Sequence, residues 1–208
     1  MKTQINLLFE EIVKKGFTEI LKPIGFKKKG NNFYLELDGL GQIISIQRSR
    51  WNNHDQIEFT INFGIFLPEY WLSEFNFHNK ELPKFPSEAE CMIRYRISEL
   101  SHQDDIWFIL NHASSIDELI TSMHQNIYEH ILPFFKKTNS KAELIQYLDG
   151  HDLPYGTHLA KLISYTACGE LAKAQNEYIN LIQDQTLTGY IHNKAQIIAT
   201  TYKLNKDA

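Results

Sequence analysis

Cysteine is nearly missing from this chain of 208 residues. It has only Cys91 and Cys168, far apart and in unlike surroundings. That argues against a disulfide framework or a zinc cluster and fits a reducing compartment. Long apolar runs are missing too. The opening MKTQINLLFEEIVKK is broken by Glu10 and Glu11, so it lacks the apolar centre of a signal peptide, and no stretch approaches the length that spans a bilayer. A cytoplasmic protein with no membrane association is the expectation. There is no positive excess: the net charge is -4, and neither the part before Thr138 nor the part after it is basic. A broad surface for phosphate backbones is therefore not expected, and nucleic acid is not the expected partner.

Glycine is present without the spacing that cradles phosphate. Gly25 and Gly30 flank a lysine run, and Gly39 and Gly41 sit in a hairpin; neither pair belongs to a GxGxxG or GxxxxGK pattern. No GxSxG elbow offers a hydrolase nucleophile. Histidines sharing a helix face need a spacing of three or four residues to hold a metal together, and His124 and His130 miss it. His151 and His158 lie across a Pro-Gly turn, which leaves their geometry open, and scattered surface histidines are the plainer reading. The adjacent acids Glu10-Glu11 and Asp104-Asp105 read as solvated pairs. No cofactor, metal or catalytic motif is called for, so the sequence leaves enzymatic activity undecided.

What is there is an ordinary folded composition, 43% apolar and 22% charged. Ile5, Leu8, Phe9, Ile12, Phe17, Ile20 and Leu21 recur at helical spacing and predict an amphipathic helix over 3–22, stopped by Pro23. The period then becomes two. Phe33, Leu35 and Leu37 form a strand, Asp38-Gly39 turns it, and Ile44 and Ile46 lead its partner up to Asn52-Asn53. Ile57, Phe59, Ile61, Phe63 and Ile65 alternate strictly with polar residues, so one face of that strand is buried. Residues 92–97 and 105–110 supply a fourth and a fifth strand. Residues 68–90 hold several prolines but also Tyr70, Trp71, Phe75, Phe77 and Phe85, and are expected to form an ordered aromatic lid with a short helix after Pro68. Ser115 with Glu118 opens a helix over 115–132 that Pro133 ends or kinks. Further helices begin at Ser140 and recur to Tyr202. The expected fold is α+β: an antiparallel sheet of four to five strands backed by helices, in residues 1–138, followed by a C-terminal helical tail, 139–208, packed on it.

The polar side of the sheet holds the candidate site. Tyr34, Glu36, Ser45, Gln47, Glu58, Thr60, Asn62, Arg94 and Arg96 share it by alternation. In one reading these are solvated cross-strand pairs, with Glu36 and Glu58 neutralising Arg94 and Arg96. In the other they line a shallow pocket beneath the aromatic lid, where arginine forks, amides and hydroxyls recognise an anion. On the second reading Gln47, Thr60, Asn62, Arg94, Arg96 and Tyr34 bind a ligand or partner. Lys27-Lys28-Lys29 beside Phe26, Phe33 and Tyr34 reads as a solvated edge. In the tail, Tyr165, Cys168-Gly169-Glu170-Leu171, Ala174 and Tyr178 resemble the helix junction of a tetratricopeptide repeat, but a single copy makes only a helical hairpin.

Gly25-Phe26-Lys27-Lys28-Lys29-Gly30 with Phe33, then Gln47, Phe59-Thr60-Ile61-Asn62-Phe63-Gly64, Arg94-x-Arg96 and Trp107, resemble the bacterial domain-of-unknown-function 4304 family over about residues 5–135. Trp107-Phe108 stands where that family is expected to carry a tryptophan pair. The resemblance implies a fold and places Gln47, Asn62, Arg94 and Arg96 in motifs, but implies no activity. The function expected is a non-catalytic, cytoplasmic, protein-binding role of regulatory or immunity type. The alternative is a small-anion binder or an enzyme using the polar sheet face.

Overall fold

The computed structural model describes residues 3–75, 81–101, 105–151 and 158–205. Phe77 and Asp104 lie outside them, as does the turn between His151 and His158. The alternating segments pair as a six-stranded antiparallel sheet. Its strands are β1 (Lys27–Lys29), β2 (Asn32–Leu37), β3 (Leu40–Arg48), β4 (Gln56–Phe66), β5 (Ile93–Arg96) and β6 (Phe108–Asn111). The strands run in the order β1-β2-β3-β4-β5, and β6 shares the far edge of β4 with β5. One strand more than expected is present. β1 is three exposed lysines, so it has no apolar alternation to announce it.

The β2–β3 hairpin turns at Asp38-Gly39, with Leu37 opposite Leu40 and Gly39 at φ 72°, a left-handed value that favours glycine. Both outer strands are blunted against further pairing. At β1 the lysines do this. At β6 the Ser114 hydroxyl accepts from the Asn111 N–H (2.9 Å) and donates to the Ile109 carbonyl (3.2 Å), taking backbone groups that an added strand would use.

The inner face carries Phe33, Ile44, Ile57, Phe59, Ile61, Phe63 and Ile65, all fully buried. Two long helices cover it. Helix α1 spans 4–21: α-helical at Gln4–Val13, a π turn at Lys14–Thr18, then α-helical at Glu19–Leu21. Its Phe9 sits edge-on to Phe59 at 5.3 Å and its Phe17 stacks on Phe33 at 6.1 Å. Helix α4 spans 116–136, capped by the Ser115 hydroxyl, which accepts from the Glu118 N–H. It runs through Pro133 instead of ending there. The π turn at Ile127–Ile131 just before it widens the backbone where the ring would otherwise strike the preceding turn. The two helices approach closely at Gly16, where a side chain would meet Met123 at 3.1 Å.

After β4 the chain crosses the outer face as helix α2 (Pro68–Glu74) and a 3-10 turn at Glu88–Glu90, reaching helix α3 (Ile97–Ser101) beyond β5. The tail forms α5 (Lys141–Gly150), α6 (Ala160–Ala167), α7 (Leu171–Gln183) and α8 (Gly189–Tyr202). The helical hairpin α6–α7 turns at Gly169, φ 77°. The tail packs against the sheet and its lid. Tyr147 lies edge-on to Phe134 at 5.5 Å and its hydroxyl meets that of Tyr95 at 2.8 Å. Lys141 pairs with Glu69 of α2 at 2.6 Å and Lys194 with Glu74 at 3.6 Å. One apolar core runs from Ile5 through Phe63 and Phe134 to Leu181 and Ala199.

Candidate functional site

Strand register decides which residues share the outer face. Tyr34 lies opposite Ile43, Ile43 opposite Gly64, and Gly64 opposite Arg94; Ser45 lies opposite Asn62, Asn62 opposite Arg96, and Gln47 opposite Thr60. All six candidate residues are therefore on one side of the sheet. They do not form one site.

The lid covers only the half around Tyr34 and Gly64, and what it covers is apolar. Tyr34, Ile43, Phe66, Trp71 and Cys91 make a second buried cluster, with Phe75 and Phe85 against it. Tyr34 lies across Gly41, where a Cβ would be 2.4 Å from its ring, and Cys91 fills the space above Gly64. The expected polar pocket under the lid is thus an aromatic plug. Tyr34 belongs to its core, and burial raises the pKa of its phenol. The glycines explain the difference: a strand position without a side chain leaves a hollow that a neighbouring ring fills. Arg94, opposite Gly64, turns to the lid margin and donates from Nε to Glu88 at 2.7 Å.

The other half of the face holds a connected polar chain, with Gln47 exposed, Arg96 half-buried and Asn62 buried. Asn62 Nδ2 donates to Gln47 Oε1 at 2.6 Å, and Arg96 Nε to Asn62 Oδ1 at 3.3 Å. Arg96 Nη1 meets both Asp105 oxygens at 2.7 and 2.8 Å, and Trp107 Nε1 donates to Asp105 Oδ2 at 3.0 Å. The guanidinium also lies over the Trp107 ring at 5.4 Å. The Arg96 hydrogen bond and, against a little burial, that from Trp107 hold the Asp105 carboxyl below its ordinary value. Thr60 is fully buried in this half, and its hydroxyl has no hydrogen-bond partner among the described residues.

The expected pairing of Glu36 and Glu58 with the arginines does not occur. Glu36 faces Lys27 at 3.4 Å, and Glu58 accepts from Gln56 Nε2 at 2.8 Å. The arginines bind acids of the crossing segments, Glu88 and Asp105, which no strand alternation points to.

Sequence reasoning ended the second strand of the hairpin at Asn52-Asn53 but did not single out Trp51 on the turn between β3 and β4. Asn52 acts as a strand in miniature: its amide donates to the Glu58 carbonyl (3.0 Å) and its oxygen accepts from the Glu58 N–H (2.7 Å). Asn53 accepts from the N–H groups of Asp55 and Gln56. On this fixed turn Trp51 stands 75% exposed with the Arg50 guanidinium over its ring at 4.8 Å. The available signal was a tryptophan outside the alternation of either strand, followed by two asparagines.

Among the described residues no group of three or more His, Cys, Asp or Glu is placed to hold a metal ion, and no helix is long and apolar enough to cross a membrane. His151 stacks on Tyr147 at 4.2 Å and contacts its carbonyl.

The domain of unknown function DUF4304 matches residues 17–137, more than half of the chain. The chain belongs to this family. The DUF4304 match takes in the whole sheet, the lid, all of α4 and the last turn of α1, and stops one residue short of Thr138. All the outer-face residues and the Trp51 turn are therefore in the family domain, and helices α5 to α8 lie outside it. No curated protein and no solved structure matches the chain.

Proposed function

We propose that this DUF4304 protein is a non-catalytic, cytoplasmic binding protein of regulatory type, which takes a protein partner at the Trp51 end of its sheet. The observation that carries the reading is Trp51. Leaving an indole in water is costly to solubility, and here the turn beneath it is fixed by four side-chain hydrogen bonds from Asn52 and Asn53. A pre-ordered exposed aromatic forfeits little entropy on binding, and tryptophan and arginine are enriched where interfaces gain most of their energy. The same end of the sheet adds the exposed Gln47 and Ile109, the latter 49% exposed, and the half-buried Arg96 and Trp107.

The alternative, a small-anion ligand on the outer sheet face, has one observation in its favour, the buried unpartnered hydroxyl of Thr60. Against it, Arg94 and Arg96 already hold carboxylates of their own chain. Capture from a lysate of the native host, comparing the wild-type chain with Trp51→Ala, tests the protein-binding reading. The expected result is a partner retained by the wild type and lost by the variant. Identical captures from the two would contradict it.

A further inference from the structure

The chain has four arginines, and they divide in two. Arg94 and Arg96 are ion-paired. Arg48 and Arg50 are exposed, and among the described residues their side chains make no ion pair or hydrogen bond; their contacts are with rings. Arg48 lies over Phe9 at 5.1 Å and Arg50 over Trp51 at 4.8 Å. Asp55, the acid of the same turn, faces His54 at 3.0 Å and His112 at 3.6 Å instead. In a chain with a net charge of -4, two guanidinium groups without an acid stand out.

Stacking uses the face of a guanidinium and leaves its rim of N–H donors free in the ring's plane. A carboxylate docks on that rim, through two parallel hydrogen bonds. The stack also holds the side chain still, so less freedom is lost on binding. The exposed indole of Trp51, next to Arg50 in the chain and under its guanidinium, suits an apolar side chain. Arg48 lies two residues before Arg50, opposite Phe59 at the margin of the inner face. We infer that Arg48, Arg50 and Trp51 together dock an acidic segment of a partner protein, one whose carboxylates flank an apolar residue. The inference rests on the protein-binding reading above and names the chemistry of the partner. Nucleic acid fits less well, because two arginines on an acidic chain cannot track a phosphate backbone.

The test uses the full chain, isotopically labelled, followed by the Trp51 indole and the Arg48 and Arg50 Nε–H resonances. The probe is a short synthetic peptide alternating glutamate with leucine and phenylalanine. The controls are the same peptide with lysine for glutamate, and oligothymidine. Saturable shifts at all three residues are expected with the acidic peptide alone, weakening as salt shortens the reach of charge. Arg48→Gln with Arg50→Gln should weaken binding by about tenfold or more while the rest of the spectrum stays in place. No shift, an equal response to the lysine peptide, or oligothymidine binding at the same residues would overturn the inference. If the host partner that depends on Trp51 is retained equally by the double arginine variant, the protein-binding reading stands and the acidic partner falls.

Discussion

At the scale of single residues, the fold is decided by which side chains lose contact with water. Phe59 is fully buried and touches Phe9 and Phe108 through its ring, at 5.3 and 5.4 Å. Phe59→Ala should cost about 3–5 kcal/mol in a denaturant melt, the usual penalty for emptying an aromatic core site. A loss under a third of that would mean the site collapses around the hole. The strict alternation around Phe59 made this face legible in the sequence, because period two has a single interpretation when every other residue is large and apolar. Tyr34 was not legible in the same way. Its phenol reads as polar by alternation, yet its ring is buried because Gly41 beneath it and Phe85 beside it offer apolar contact. The partners of Arg94 and Arg96 were hidden for a related reason: Glu88 and Asp105 are brought to them by the path of connecting segments, which local spacing does not encode.

At the scale of elements, the lid is a unit with its own small core and its own polar lock. Glu90 accepts from the Trp71 indole at 2.8 Å and from the Ser87 N–H and hydroxyl, both at 2.7 Å. Burial pushes the Glu90 carboxyl up, but the bonds from Ser87 and Trp71 outweigh it, so it titrates below the ordinary value of 4.5. A carboxyl with a lowered folded pKa stabilises fully above its unfolded value, and that contribution is lost as pH falls through the folded one. Between neutrality and pH 4.5 the lock should stay closed; below it, Trp71 emission should move to the red as the indole meets water, in a variant where Trp51 and Trp107 are phenylalanine. Glu90→Gln should cost about 1–3 kcal/mol at neutral pH and remove the acid-dependent step. An identical acid transition with and without the carboxylate would show that Glu90 does not hold the lid. The aromatic content of residues 68–90 made an ordered lid readable. What it covers was not, since that depends on Gly41 and Gly64, on neighbouring strands, leaving room for Tyr34 and Cys91.

At the scale of the whole molecule, the helical tail and the DUF4304 domain are joined by more than a linker. Tyr147 on Phe134, Ser164 hydroxyl against Met92 sulfur, and the ion pairs of Lys141 and Lys194 to the lid helix tie α5, α6 and α8 to the family domain. Truncation after Thr138 should strip cover from Phe134 and Met92, lower Tm and raise binding of a hydrophobic dye. A truncated chain with unchanged Tm and no dye binding would show that the tail contributes nothing to the domain. The stripes of leucine, isoleucine and tyrosine made the tail's helices legible; where they dock was not, because the surfaces that receive them come from β5 and the lid. The tail leaves Trp51 exposed, and the proposed protein partner would dock there. The most direct measurement places a photo-crosslinking amino acid at Gln47, exposed near the Trp51 end of the sheet, and separately at Lys28, on the lysine edge, in the native host. A discrete protein adduct is expected from position 47, disappearing with Trp51→Ala, and none from position 28. Adducts equal at both positions, or none at 47, would contradict the proposed docking.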